Sequence, residues 1–231
     1  MTLALAFLAL LMGGVGLWLL RQSLFVQPWV AESGGRPPPY PVPRRFTAPR
    51  VGLVAFMAVV TSLFALTISA YLMRMAEAPQ WELLPQPSLL WGNTGILLVG
   101  SLALQYAWEG ARSTRRARLQ GGLAVGSLCS LAFLVGQYLV WRELVALGYY
   151  LDTHPASAFF VIMSGLHAVH LIGGLGAVAL CLWRLAHGTS LAHLAEGVGL
   201  CTLYWHFLYV VWLVLFGVLF VGAGPLYALC R

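Results

Sequence analysis

Of 231 residues, 60% are hydrophobic and only 9% charged, and the mean hydropathy is +0.83. Soluble domains carry about 25% charged residues, so the composition excludes an ordinary soluble domain and points to an all-α integral membrane protein. The net charge of +6 comes from 13 arginines, with no lysine, set between apolar runs; no basic stripe is interleaved with aromatics, so nucleic acid is not an expected partner.

A bilayer core takes about 20 apolar residues as helix. In chain order, spans are expected at roughly 2–20, 51–72, 89–108, 122–147, 157–183 and 197–223. The first, "TLALAFLALLMGGVGLWLL", lacks the basic leader of a signal peptide and reads as a retained transmembrane helix. Residues 21–50 form a Pro-, Gly- and Arg-rich linker, too broken for a long helix, which divides the leading helix from a compact block of five at 51–223. A short tail, 224–231, follows. Six transmembrane helices are therefore expected, one N-terminal helix plus a five-helix bundle.

Orientation follows from arginine placement. With the linker in the cytoplasm, Arg21, Arg36, Arg44, Arg45, Arg50, Arg112, Arg115, Arg116, Arg118 and Arg184 lie inside, and Arg74, Arg142 and Arg231 outside. Ten against three is a strong positive-inside bias, and it sets both termini on the outer side.

Lipid is as apolar as leucine, so helices in a bilayer associate through close packing and hydrogen bonds. Gly122, Gly126 and Ser130 recur every four residues and give the fourth span a smooth face. Gly165, Gly173 and Gly174 flank the histidines of the fifth and predict close approach of another backbone there. Tryptophans near span ends, Trp81, Trp91, Trp108, Trp141 and Trp183 among them, are expected at the membrane interfaces. The four cysteines have no ligand spacing and read as small apolar residues.

Ionisable groups at membrane depth are costly and mark candidate sites. Here they are His167 and His170, on one face of the fifth span, and His206 in the sixth, with Glu109 and Glu143 near span ends. Counted from the cytoplasmic ends, His170 and His206 differ in depth by about 6 Å at 1.5 Å per residue, close enough to meet across a helix pair. Metal or haem ligation, a proton path and interhelical hydrogen bonding are the competing roles. Two histidines three residues apart suit no two-haem layering, and a proton path lacks deep carboxylates, so interhelical bonding, with a lipid headgroup or a water, is the expected role. No metal site is expected. Glu143 beside Arg142 reads as a surface pair.

The motifs resemble a known family. "FFVIMSGLHAVHLIGGLGAV" is similar to the "Ff-x-x-x-G-x-H-x-x-H-v-x-x-G" segment of subunit III of haem-copper terminal oxidases, and "LYWHFLYVVWLVLF" to that family's last-helix "YWHFvDvvWlfLf". "WELLPQPSLLWGNTGILLVGSLALQYA" and "SAYLMRM" match two further elements in the right order. The resemblance implies a subunit of a hetero-oligomeric complex that is not catalytic alone; the all-arginine, alanine- and leucine-rich composition points to a bacterium and its plasma membrane. The subunit would hold no redox cofactor itself, pack on catalytic subunit I, which carries the haem and copper, have subunit II as a further partner, and bind phospholipid between its helices. His167, His170, Trp205 and His206 would then be a lipid-binding or helix-packing cluster. The family's carboxylates fall here on Val60, Gly199 and Tyr209. A subunit III-like accessory protein of a nitric oxide reductase is the near alternative; a small transporter, which inverted repeats would mark, is the distant one.

Overall fold

The computed structural model describes residues 47–77, 81, 84–150, 154–221 and 224. The helix expected at 2–20, the linker to residue 46 and the tail from 225 lie outside the described residues. Five α-helices follow one another: α1 (Ala48–Glu77), α2 (Leu89–Arg112), α3 (Arg116–Ala146), α4 (Pro155–Ala186) and α5 (Leu191–Phe216). The last runs into a π-helical turn, Gly217–Val221. Four stretches are long and apolar enough to cross a membrane by length and composition: α1, α3, α4 and His193–Val221. α2 falls short because Asn93, Thr94, Ser101, Gln105 and Glu109 dilute its apolar run.

The helices end in one recurring device. After α3, Gly148 takes φ +90° while its N–H donates to Val145 and that of Tyr149 to Leu144; after α4, Gly188 at φ +80° and Thr189 donate to Leu185 and Arg184. These are Schellman closures, in which a left-handed residue lets the last carbonyls find donors. After α2 the same pattern runs through Thr114, at φ 54°, where a β-branched side chain is strained. Arg116 reaches from this turn to donate to the Leu185 carbonyl at 3.2 Å, tying the α2–α3 turn to the C-terminus of α4. Arg50, Arg112, Arg115, Arg118 and Arg184 belong to the same end of the bundle, called the arginine-rich end below.

α2 and α3 form the most extensive helix pair. Buried Asn93, Leu97, Gly100, Leu104, Ala107 and Ala111 on α2 alternate steps of four and three, as do Gly122, Gly126, Cys129, Phe133, Gly136 and Val140 on α3. That 3.5-residue period is the left-handed coiled-coil seam, filled here largely with small residues as membrane pairs require. A methyl group on Gly122 would lie 2.5 Å from the Ala103 carbonyl oxygen, and one on Gly136 would collide with Asn93 Oδ1. α5 lies antiparallel on α2: Trp108 meets Gly199, Thr202 donates to the Leu104 carbonyl at 3.1 Å, and Trp212 donates to Thr94 at 3.0 Å. α1 is peripheral. Its buried residues, Val60, Phe64, Tyr71 and Met75, make a single stripe, and it packs on α4 and α5.

Several hydroxyls inside the spans find acceptors within their own helix. Thr61, Ser62, Thr94, Ser127, Ser130, Ser164 and Thr202 each donate to the carbonyl four residues earlier. A hydroxyl satisfied in this way can be carried in hydrocarbon without a partner helix.

Candidate functional site

The four motif residues come from α4 and α5 but do not form one cluster. Trp205 is the junction. Its indole N–H donates to Ser130 of α3 at 3.0 Å, and its ring covers Gly174 of α4, where a Cβ would lie 2.7 Å away. One residue of α5 thereby joins two other helices, and with 1% of its surface exposed it does so out of reach of lipid.

His167 is fully buried, with the Phe133 and Trp212 ring centroids at 5.6 and 5.3 Å. Neither ring nitrogen has a hydrogen-bonding partner, so its interhelical contacts are made through the ring itself rather than through the expected hydrogen bond. His170 faces α1, with Phe64 at 5.7 Å and Phe56 at 6.2 Å, and its Nδ1 bonds the Leu166 carbonyl at 2.7 Å. The Tyr204 hydroxyl donates to the backbone carbonyl of His170 at 3.1 Å.

His206 faces the other way. Its Nδ1 is bonded to Ser101 and its Nε2 to Gln105 Oε1 at 3.3 Å, both on α2, and Gln105 Nε2 donates to Glu109 at 3.2 Å. Chemistry fixes the direction of this ladder. The carboxylate only accepts, so the Gln105 amide presents its NH2 to Glu109 and its oxygen to the histidine. Nε2 of His206 then carries the proton, and Nδ1 accepts from the Ser101 hydroxyl. Similar depth thus does not bring His170 and His206 together as the sequence predicts: His170 on α4 faces α1, and His206 on α5 faces α2.

Of the glycines singled out, Gly122, Gly126 and Gly174 lie at close approaches, a Cβ on Gly126 being 2.8 Å from Leu104. Gly165 and Gly173 do not: a Cβ on Gly165 would be 4.0 Å from Trp141, and one on Gly173 would meet nothing within 4 Å. Gly173 instead floors an apolar groove of about 740 Å³ between α1, α4 and α5, whose walls include Phe56, Val169, His170 and Tyr204. The tightest glycine, Gly136, was legible only as a continuation of the 3.5-residue seam beyond Phe133. Trp141 is not an interface residue alone, since its N–H donates to Ser164 on α4 at 3.0 Å. Arg142 and Glu143 are exposed.

Two of the positions where the resemblance places carboxylates, Val60 and Gly199, are closely packed. Val60 is 2% exposed, and a Cβ on Gly199 would lie 2.7 Å from Nε1 of Trp108, so the indole fills the space a larger residue would need. As for redox ligation, both nitrogens of His206 are engaged and the ring of His167 is packed between two aromatics. Among the described residues, no three His, Cys, Asp or Glu side chains are grouped to hold a metal.

The family model described as cytochrome c oxidase subunit III matches residues 50–223, and so covers all five helices. The chain belongs to that family. It is 31% identical over 172 residues to cytochrome c oxidase subunit 3 of Synechocystis sp., a match covering 71% of this chain and 72% of the relative. The subunit 3 of Thermostichus vulcanus is 27% identical over 180 residues, 74% of this chain and 86% of its own length. A protein of Aeropyrum pernix named "Heme-copper oxidase subunit I+III" is 28% identical over 125 residues, 54% of this chain and 15% of the relative. This subunit III is thus a multi-pass membrane component of a haem-copper oxidase; neither a nitric oxide reductase accessory protein nor a transporter is favoured by these relatives.

Proposed function

We propose that this subunit III is a non-catalytic bundle that packs on the catalytic subunit I of a bacterial oxidase, near subunit II, and keeps it durable. Oxygen reduction, with its haem and copper, then belongs to the partner. The match across all five described helices carries the reading. The name of the Aeropyrum relative, which joins subunits I and III, supports subunit I as the neighbour. On this reading α2 also spans the membrane, since its polar residues Asn93 and Ser101 are buried against other helices rather than offered to lipid. Residues 2–20 add the sixth span. The arginine-rich end faces the cytoplasm, which sets both termini outside.

Phospholipid is the proposed occupant of the groove between α1, α4 and α5. The groove is apolar over most of its wall, carries His170 on one side and begins at Pro49, where α1 leaves the arginine-rich end. Acyl chains suit its walls, and Arg50, which follows Pro49 in the chain, would suit a phosphate. His170 lines it, while His167 packs between Phe133 and Trp212 in the core.

The test is a reduced-minus-oxidised optical spectrum of the complex taken from native membranes in mild detergent, and of this chain after it is stripped from its partners. Haem bands in the complex that vanish from the isolated chain are expected. Haem retained by the isolated chain overturns the reading. In the complex, His167→Ala with His170→Ala should shorten the lifetime in detergent while leaving the haem bands intact; loss of haem absorbance with the subunits still assembled would contradict the packing role.

A further inference from the structure

The ladder runs outward from the buried Ser101 through His206 and Gln105 to Glu109 on the outside of the bundle. His206 and Gln105 are half-buried and Glu109 is exposed. His206 stands fifteen residues from Leu191 and fifteen from Val221, hence at the middle of the α5 stretch and near the centre of a hydrocarbon core about 30 Å thick. Around it Leu102, Leu203 and Val210 are 57%, 41% and 56% exposed. At that depth lipid offers only methylene and methyl groups, and no headgroup reaches it. An imidazole and a carboxamide facing lipid there are costly, and Gln105 retains an amide hydrogen and an oxygen lone pair beyond those the ladder uses. The outward side of α1 differs. Val59, Leu66 and Met73 are 68%, 70% and 63% exposed, and its Thr61 and Ser62 hydroxyls are satisfied within the helix. That side suits lipid as it stands.

Charge adds a second observation. α2 and α5 each contain one carboxylate, Glu109 and Glu196. Both are exposed, and both fall at the arginine-rich end, where the rest of the chain is positive.

We propose that the face shared by α2 and α5 docks a transmembrane helix of the catalytic subunit. That helix would bring a hydrogen-bonding side chain to the bilayer centre opposite Gln105 and His206, and a basic side chain to Glu109 and Glu196. The inference deepens the assembly proposed above and rests on it.

Photo-crosslinking in the intact complex tests it without disturbing the ladder. Benzoylphenylalanine is placed at Leu102 or Leu203, and for comparison at Val59 or Leu66, and the products are identified by mass spectrometry. Adducts to the haem-bearing subunit from 102 and 203, and lipid adducts alone from 59 and 66, are expected. Adducts to that subunit from α1 alone, or from none of the four while the complex still copurifies, overturn the docking face. If no haem-bearing subunit copurifies even with the unmodified chain, the assembly itself fails instead. As a second measurement, His206→Leu should hasten loss of the subunit into detergent about three- to tenfold, the worth of one or two intramembrane hydrogen bonds. An unchanged rate counts against the proposal.

Discussion

The indole of Trp205 lies directly over Gly174, at a distance that leaves no room for a side chain on α4. The same indole donates to Ser130, so α3, α4 and α5 meet at one residue. A Gly174→Ala substitution forces the ring away and strains that bond. Overpacking of this kind costs about 1–3 kcal/mol. Thermal unfolding in detergent, followed by tryptophan fluorescence, should show a lower midpoint; Trp205→Phe with Gly174→Ala should cost less than the sum of the two single changes. Strict additivity would mean the two residues are uncoupled.

His167 presents a different balance. It is a fully buried ring between Phe133 and Trp212 whose nitrogens have no partners. Leaving buried polar groups unmatched costs about 1–3 kcal/mol, and a phenyl ring keeps the aromatic contacts. His167→Phe should therefore raise the thermal midpoint of the subunit, whereas His167→Ala, which opens a void, should lower it. A lower midpoint for both would reveal a bond to the imidazole that the packing does not account for.

At the α2–α3 turn, Thr114 holds a left-handed backbone that glycine accepts without strain. Thr114→Gly should stabilise the subunit by about 0.5–1 kcal/mol, less the entropy glycine regains in the unfolded chain. Thr114→Val should be no better than wild type. Chemical denaturation in a mild detergent can rank the three.

Restoring a carboxylate where the family resemblance expects one should do harm. Gly199→Glu drives a Cβ into Trp108 and is expected to destabilise by about 1–3 kcal/mol, with partial rescue by Trp108→Ala in the same chain. Stability unchanged in the single variant would show that the indole swings aside freely.

The order of the five helices was legible because apolar runs are punctuated by Gly or Pro and arginines gather at alternate turns; their limits were less so, α3 and α5 each beginning six residues before the expected span, at Arg116 and Leu191. The close approaches at Gly122 and Gly126 were legible from their four-residue spacing. Facing was not. Inside a membrane span almost every position is apolar, so periodicity does not say which side of α5 carries His206 and which carries Tyr204. Depth alone suggested a meeting of His170 with His206; rotation about the helix axis decided against it. The asymmetry between Gly173 and Gly174 is the same effect at adjacent residues, one opening on the groove and the other pressed against Trp205.

The polarity of α2 has a consequence for how the protein is made. If α2 spans the membrane as proposed above, a segment bearing Asn93, Ser101, Gln105 and Glu109 partitions poorly into lipid by itself, whereas α3, three residues further on, is apolar enough to enter alone. The tight turn at Ser113–Arg115 and the small-residue seam let the two enter as a hairpin, with Asn93 of α2 turned towards Gly136 of α3. The ribosome must therefore have delivered α3 before α2 leaves the insertion channel, and a change that loosens the seam, such as Gly122→Leu, would be felt first as a failure of biogenesis, in chains degraded before any partner is met.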